Sequence, residues 1–195
     1  MSVTTSSGDP PPLALGAAAG VVAWLIGYAL FFLVVSPSVQ DSAIQRFIEA
    51  VEGEPATYEM VGWVFYNSHM VDTVVTDIPG ISDQATNFIG GDDGFSVFLY
   101  VIPVALLLIA GLAVGRSQGV TDISTGLVAG LTLVPGYLLL SVAGLFLFEA
   151  TIAGSTVGPQ RLQGLFLVGL VYPAGVGGLG GALAAATATE TTGQR

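Results

Sequence analysis

Four long apolar runs alternate with polar segments along the chain: residues 13–35, 95–115, 125–148 and 165–186. None of the four contains Asp, Glu, Lys, Arg or His. A helix needs about 20 apolar residues to cross about 30 Å of hydrocarbon, so each run is predicted to be a transmembrane helix. In lipid the backbone polar groups must be satisfied within the segment, which selects helices. A transmembrane barrel shows alternation over about ten residues, and these runs do not alternate.

The pattern changes over residues 36–94, a 59-residue stretch between the first two runs. Ile44, Phe47, Ile48 and Val51 recur at helical spacing, which predicts an amphipathic helix over 38–53. Ser38 with Asp41 is placed at its start, and Gly53 with Pro55 at its end. Residues 58–71 include Met60, Val61, Trp63, Val64, Phe65, Tyr66 and Met70, too much apolar surface to leave in water. They are predicted as a second helix lying on or in the membrane interface, with a buried strand as the alternative for so short a run. Asp77, Pro79, Gly80 and Asp83 signal a turn, and residues 90–94 lead into the second span. The expected fold class is all-α: a polytopic membrane four-helix bundle with a partly helical acidic loop between spans 1 and 2. Residues 1–12 and 187–195 are expected to be disordered tails.

Composition sharpens this picture. The chain is 52% hydrophobic and 9% charged, against about 25% charged in ordinary soluble proteins. It has no cysteine, which excludes disulfides and thiolate metal sites. With no lysine, four arginines and a net charge of -10, it lacks the basic footprint that nucleic acid requires. The 36–94 segment holds ten acids against Arg46. They are scattered, and Asp92–Asp93 lack the later carboxylates of an EF-hand. The acid excess is therefore read as adaptation to molar salt rather than as a cation collector. Residues 1–12 carry no Lys or Arg, and the first run exceeds a signal-peptide core, so cleavage is not expected. Arg116 and Arg195 on one side, with the acidic segment moved outward by an inside-negative potential, place both termini in the cytoplasm.

One constellation carries chemical potential. In a helix, His69 and Asp72 lie three apart on one face, beside Asn67. Histidine with a carboxylate is a combination that binds metal or serves as an oriented base. A single histidine among aromatics more often makes a structural hydrogen bond, and that reading is preferred. No catalytic residue, metal set or cofactor is assigned. The spans lack the ionisable groups that proton-coupled transporters use.

The spans are rich in small residues. Gly16/Gly20, Gly111/Gly115, Gly126/Gly130 and Gly177/Gly181 are G-x-x-x-G pairs, which let helix backbones approach closely within a bundle or between copies. Pro103, Pro135 and Pro173 are candidate kinks. A faint two-span repeat aligns Gly16/Gly20 with Gly126/Gly130, and Pro103/Gly111 with Pro173/Gly181.

The chain resembles small haloarchaeal four-span membrane proteins of unknown function. The likeness rests on residues 61–69 (VGWVFYNSH), Gly136-Tyr137, and Val171-Tyr172-Pro173 followed by residues 177–181 (GGLGG). Some members carry a transporter label. The resemblance implies a halophilic archaeal source and the membrane class, with no catalytic residues to carry over. The expected function is a non-enzymatic membrane component or accessory subunit, partnered by the lipid bilayer and by a second copy or another membrane protein. The alternative is a small transporter or channel subunit for an ion or neutral solute. A membrane enzyme with its site near His69 ranks third.

Overall fold

The computed structural model describes residues 13–76, 84–92 and 94–188. The expected tail at 1–12, all but Thr187 and Ala188 of the one expected at 187–195, and the turn signalled by Asp77, Pro79, Gly80 and Asp83 lie outside the described residues. Four helices are long and apolar enough to cross a membrane: Leu13–Gln40, Val97–Ser117, Ile123–Leu147 and Arg161–Ala186. Between 28% and 44% of the most apolar window of each is buried. The remainder, including Leu33, Phe98, Ile109, Leu139 and Phe166, forms an exposed apolar belt.

The helices overrun the apolar runs that announced them. The first continues through Pro37 to Gln40, so Pro37 does not mark its end. The fourth starts at Arg161, ahead of its apolar run. Helical hydrogen bonding continues where hydrophobicity stops, because polar residues propagate a helix already nucleated. Thr187 and Ala188 close the fourth helix, donating from their amides to Leu183 and Ala185.

The 36–94 segment is less loop-like than expected. The amphipathic helix is shorter, Ala43–Glu52, and its cap is Ser42, whose hydroxyl accepts from the Gln45 amide at 3.1 Å. Ser38 and Asp41 belong to the end of the preceding helix and the turn after it. Gly53 ends the short helix at φ 81°, the left-handed conformation that glycine adopts without a Cβ clash. The next helix, Thr57–Asn67, has every residue from Met60 to Asn67 buried. It packs against the first long helix and reaches the third through its side chains.

The fold is also not purely helical. Among the described residues, four short strands, β1 (Thr73–Thr76), β2 (Gln84–Thr86), β3 (Ala150–Ile152) and β4 (Ser155–Pro159), form an antiparallel sheet in the order β2-β1-β4-β3. Its central pairing sets Thr73 opposite Pro159 and Thr76 opposite Thr156. β3 and β4 make a hairpin whose two turn residues, Ala153 and Gly154, have φ 50° and 81°. Two successive positive φ values match the right-handed twist of the strands. The sheet covers the end of the bundle where the first and third long helices finish and the second and fourth begin.

Glycine fixes how the long helices meet. The first and third run parallel, with Gly16 against Thr132, Gly20 against Leu133 and Gly136 against Ala17. The second and fourth also run parallel, with Gly111 against Gly177 and Gly115 against Gly181 and Ala184. The third and fourth are antiparallel, joined by Gly126 with Gly181 and Gly130 with Gly177. All eight paired glycines are thus engaged inside the chain. The faint repeat is not expressed in this packing: Gly16 and Gly20 face the third helix, whereas Gly126 and Gly130 face the fourth.

The prolines divide. Pro103 lies near the start of the second long helix, three residues after a 3-10 turn at Val97–Tyr100. Pro135 follows a real break, because the third long helix is two segments, Ile123–Leu131 and Val134–Leu147. Pro173 lies in a helix wound as π over Gly164–Val171 and Pro173–Gly177. The wider turn absorbs the missing donor and distorts the helix without ending it.

Candidate functional site: a buried polar tip

The inserted helix Thr57–Asn67 can be followed inward by its side-chain anchors. Trp63 Nε1 donates to the Phe148 carbonyl at 2.6 Å. One turn later the Tyr66 hydroxyl donates to the Ser141 carbonyl. His69 Nε2 then lies 2.8 Å from the Tyr137 hydroxyl. Each step along this segment is a step backward along the third long helix, so the two run antiparallel and the 67–69 tip lies within the bundle.

Asn67, Ser68 and His69 are each 0% exposed. Buried polar groups are costly unless hydrogen-bonded, and these are. Asn67 Nδ2 donates to the Val71 carbonyl at 2.7 Å and to Thr73 Oγ1 at 3.3 Å, while its Oδ1 accepts from the Phe88 amide at 2.9 Å. Ser68 Oγ donates to the Phe65 carbonyl at 2.6 Å. Asn67 therefore joins the tip to both β1 and the strand-like segment after β2.

The partners fix the state of His69. Its Nδ1 is 2.8 Å from the Phe65 carbonyl, which can only accept, so Nδ1 carries the proton. In a neutral ring Nε2 is then the acceptor and Tyr137 the donor. Burial in this site pushes the His69 pKa down to about 4, opposed by the bond to the Phe65 carbonyl. The ring is neutral at physiological pH. Burial likewise holds the Tyr66 phenol far above its ordinary range, keeping it a donor to Ser141. The rings of Phe65 and Tyr172 close on the imidazole at 4.9 and 4.8 Å between centroids. Tyr172 comes from the π-wound part of the fourth helix, between its two π segments.

Asp72 does not join this site. The helix ends at Asn67 and the chain reverses through Met70 at φ 61°, so the helical spacing that would set Asp72 beside His69 is broken. The Asp72 backbone instead meets the fourth helix, its amide donating to Gln163 Oε1 at 3.2 Å and its carbonyl accepting from the Gln160 amide at 2.8 Å. Among the described residues, no group of three or more His, Cys, Asp or Glu is placed to hold a metal ion. The residues that pair with His69, Tyr137 and Tyr172, stand out in the sequence only as two of the few polar side chains inside apolar runs.

The family model that covers residues 1–188 of this chain is described as a family of unknown function, DUF7978. The chain belongs to DUF7978. No curated protein and no solved structure matches it. For this DUF7978 protein the chemistry of the tip must therefore be read from its own geometry. Hydroxyls elsewhere in the bundle turn onto their own helices: Thr132 donates to the Ala129 carbonyl at 2.5 Å and Ser141 to the Tyr137 carbonyl at 2.8 Å. Both side chains are buried. In this DUF7978 chain, polar groups at the tip and in the third helix satisfy one another or adjacent backbone.

Proposed function

We propose that this chain is an integral, non-enzymatic membrane component: a sealed four-helix bundle, serving as an accessory or assembly subunit, with its acidic sheet end outside the cell. The observation that carries the reading is the closed hydrogen-bonding of the inserted tip. A catalytic histidine must reach substrate, and a transport path must offer polar groups to solute. His69, Thr132 and Ser141 offer neither, being buried and already paired.

The exposed apolar belt supports the bilayer as solvent for the four helices. Asp41, Glu49, Glu52, Glu54 and Asp92 are exposed at the sheet end, which supports a halophilic archaeal source, since surface carboxylates hold water in brine. Both termini are then cytoplasmic. The absence of native cysteine makes single-cysteine labelling clean. Glu54→Cys is expected to react with a membrane-impermeant maleimide in intact cells, and Ser117→Cys only after permeabilisation; the reverse pattern inverts the orientation.

The functional test is flux. Proteoliposomes holding the purified protein are expected to show no proton, cation or neutral-solute movement above protein-free vesicles, by pH-dye, ion-electrode and osmotic shrinkage assays. Saturable flux that scales with protein content overturns the sealed-component reading in favour of a transporter.

A further inference from the structure

A half-open cavity of about 530 Å³ lies at the sheet end, between the last turn of the first long helix, the Ala43–Glu52 helix, the inserted helix and residues 87–90 and 94–95. Its walls are Val39, Ile44, Met60, Trp63, Phe88 and Phe95, with Ser38 and Ser42 on the side of the first helix and its turn. None of the described residues lining it carries a charge. The volume falls within the range that holds small ligands. The walls are set: Trp63 is tied through Nε1 to Phe148 and stacks on Phe88 at 6.4 Å.

The apolar surface continues outward from this cavity. Ile44, one of its walls, is 48% exposed, and Phe47 and Val51 on the same short helix are 57% and 47% exposed. Asp41, Glu49 and Asp92 stand exposed around this surface and outnumber the exposed Arg46 of the short helix, whose guanidinium is turned onto the Asp41 carbonyl, so the local field disfavours an anionic headgroup. We propose that this cavity binds one hydrocarbon chain of an uncharged lipid, entering across the Ile44–Phe47–Val51 surface. The lining is mostly apolar, with Ser38, Ser42 and Asn87 as its polar side chains, which suits a hydrocarbon chain carrying an uncharged polar head, and the surplus of flanking carboxylates selects against fatty acids and anionic phospholipids. The membrane reading supplies the source of the lipid, but binding itself needs no bilayer.

Trp63 is a reporter built into the wall, and Trp24 is the other tryptophan of the chain. Trp24→Phe removes a buried indole N–H that has no partner, and it leaves Trp63 as the only tryptophan, excited selectively at the red edge where the tyrosines do not absorb. In this background, in a fluorinated surfactant, dibromostearoyl glycerol is expected to quench about half of the emission and to saturate, as occupancy of a single site requires. Dibromostearate at neutral pH is expected to bind about tenfold more weakly. Ser38→Phe, which fills one side of the cavity, and Ile44→Asp, which charges it, should each weaken quenching by about tenfold or more. Both variants are checked for unchanged melting temperature and emission maximum. Quenching that rises linearly without saturation, or that both variants leave unchanged, overturns the proposal. Release of the chain from membranes by alkaline carbonate overturns the bilayer reading instead, and leaves the quenching result standing.

Discussion

Gly130→Val is expected to lower the melting temperature of the detergent-solubilised protein by about 10 °C, the result of about 3 kcal/mol of overpacking. A Cβ at Gly130 would overlap the Gly177 carbonyl oxygen and lie 2.8 Å from Gly178 Cα. Both obstacles are backbone, so neither can rotate aside. Relief requires the third and fourth helices to separate, and that also loosens Gly126 against Gly181 one turn away. Gly175→Ala is the matched control. It lies in the fourth helix, the partner of Gly130, with no heavy atom within 4 Å of its added Cβ, and alanine is the better helix former by about 1 kcal/mol. Gly175→Ala should leave melting unchanged or raise it slightly. Equal melting of the Gly130→Val and parent proteins would mean that these backbones are not in contact.

The glycine pairs show what a sequence can reveal about such a bundle. The spacing of Gly111/Gly115 and Gly177/Gly181 identifies faces able to approach another backbone, because the absent side chain is itself the signal. It cannot name the partner, since every glycine pair presents the same surface. The four long helices were legible for a similar reason: an uncharged run longer than the hydrocarbon thickness has few other stable conformations in lipid. The sheet was not. β1 and β4 are four and five residues long and Thr-containing, and their pairing joins Val75 to Val157, 82 positions apart. A strand this short gains its stability from the neighbour it meets, which local pattern does not contain.

The inserted helix lies between these cases. Met60–Val71 carries no charged residue, and its apolar bulk required cover, as the sequence indicated. The choice of the membrane interface followed from its aromatic residues, which are common at headgroups. Trp63 and Tyr66 instead use their polar atoms on the Phe148 and Ser141 carbonyls of the third helix. An aromatic side chain with one polar atom suits either setting. What separates them is the Asn67–Ser68–His69 tip, since three polar residues are tolerated in a bundle interior only when fixed partners await them. Those partners, Phe88, Thr73 and Tyr137, lie between 6 and 68 positions away. Sequence spacing therefore favoured Asp72, the nearer group, which the left-handed turn at Met70 carries away.

The buried state of His69 sets a second large expectation, a loss of stability on acidification. The folded ring has its pKa lowered to about 4 from the ordinary value of 6.5. Between these values the unfolded chain binds a proton that the folded chain refuses, so acid favours unfolding. The contribution is complete above pH 6.5, falls through the interval and levels off below pH 4. Its size is about 3 kcal/mol, from the separation of the two pKa values. Carboxylates titrate in part of the same window, so the measurement is a difference. His69→Gln keeps a donor for the Phe65 carbonyl and an acceptor for Tyr137 but cannot titrate. Denaturant or thermal unfolding from pH 7 to pH 4 should show the parent losing about 3 kcal/mol more than this variant. Tyr137→Phe provides the geometric check at pH 7. It leaves Nε2 buried without its donor and should cost about 1–3 kcal/mol, whereas a His69 free to rotate toward water would lose little. Parallel pH profiles for the parent and His69→Gln would show that the imidazole titrates alike in both states, and the sealed tip would have to be open to solvent.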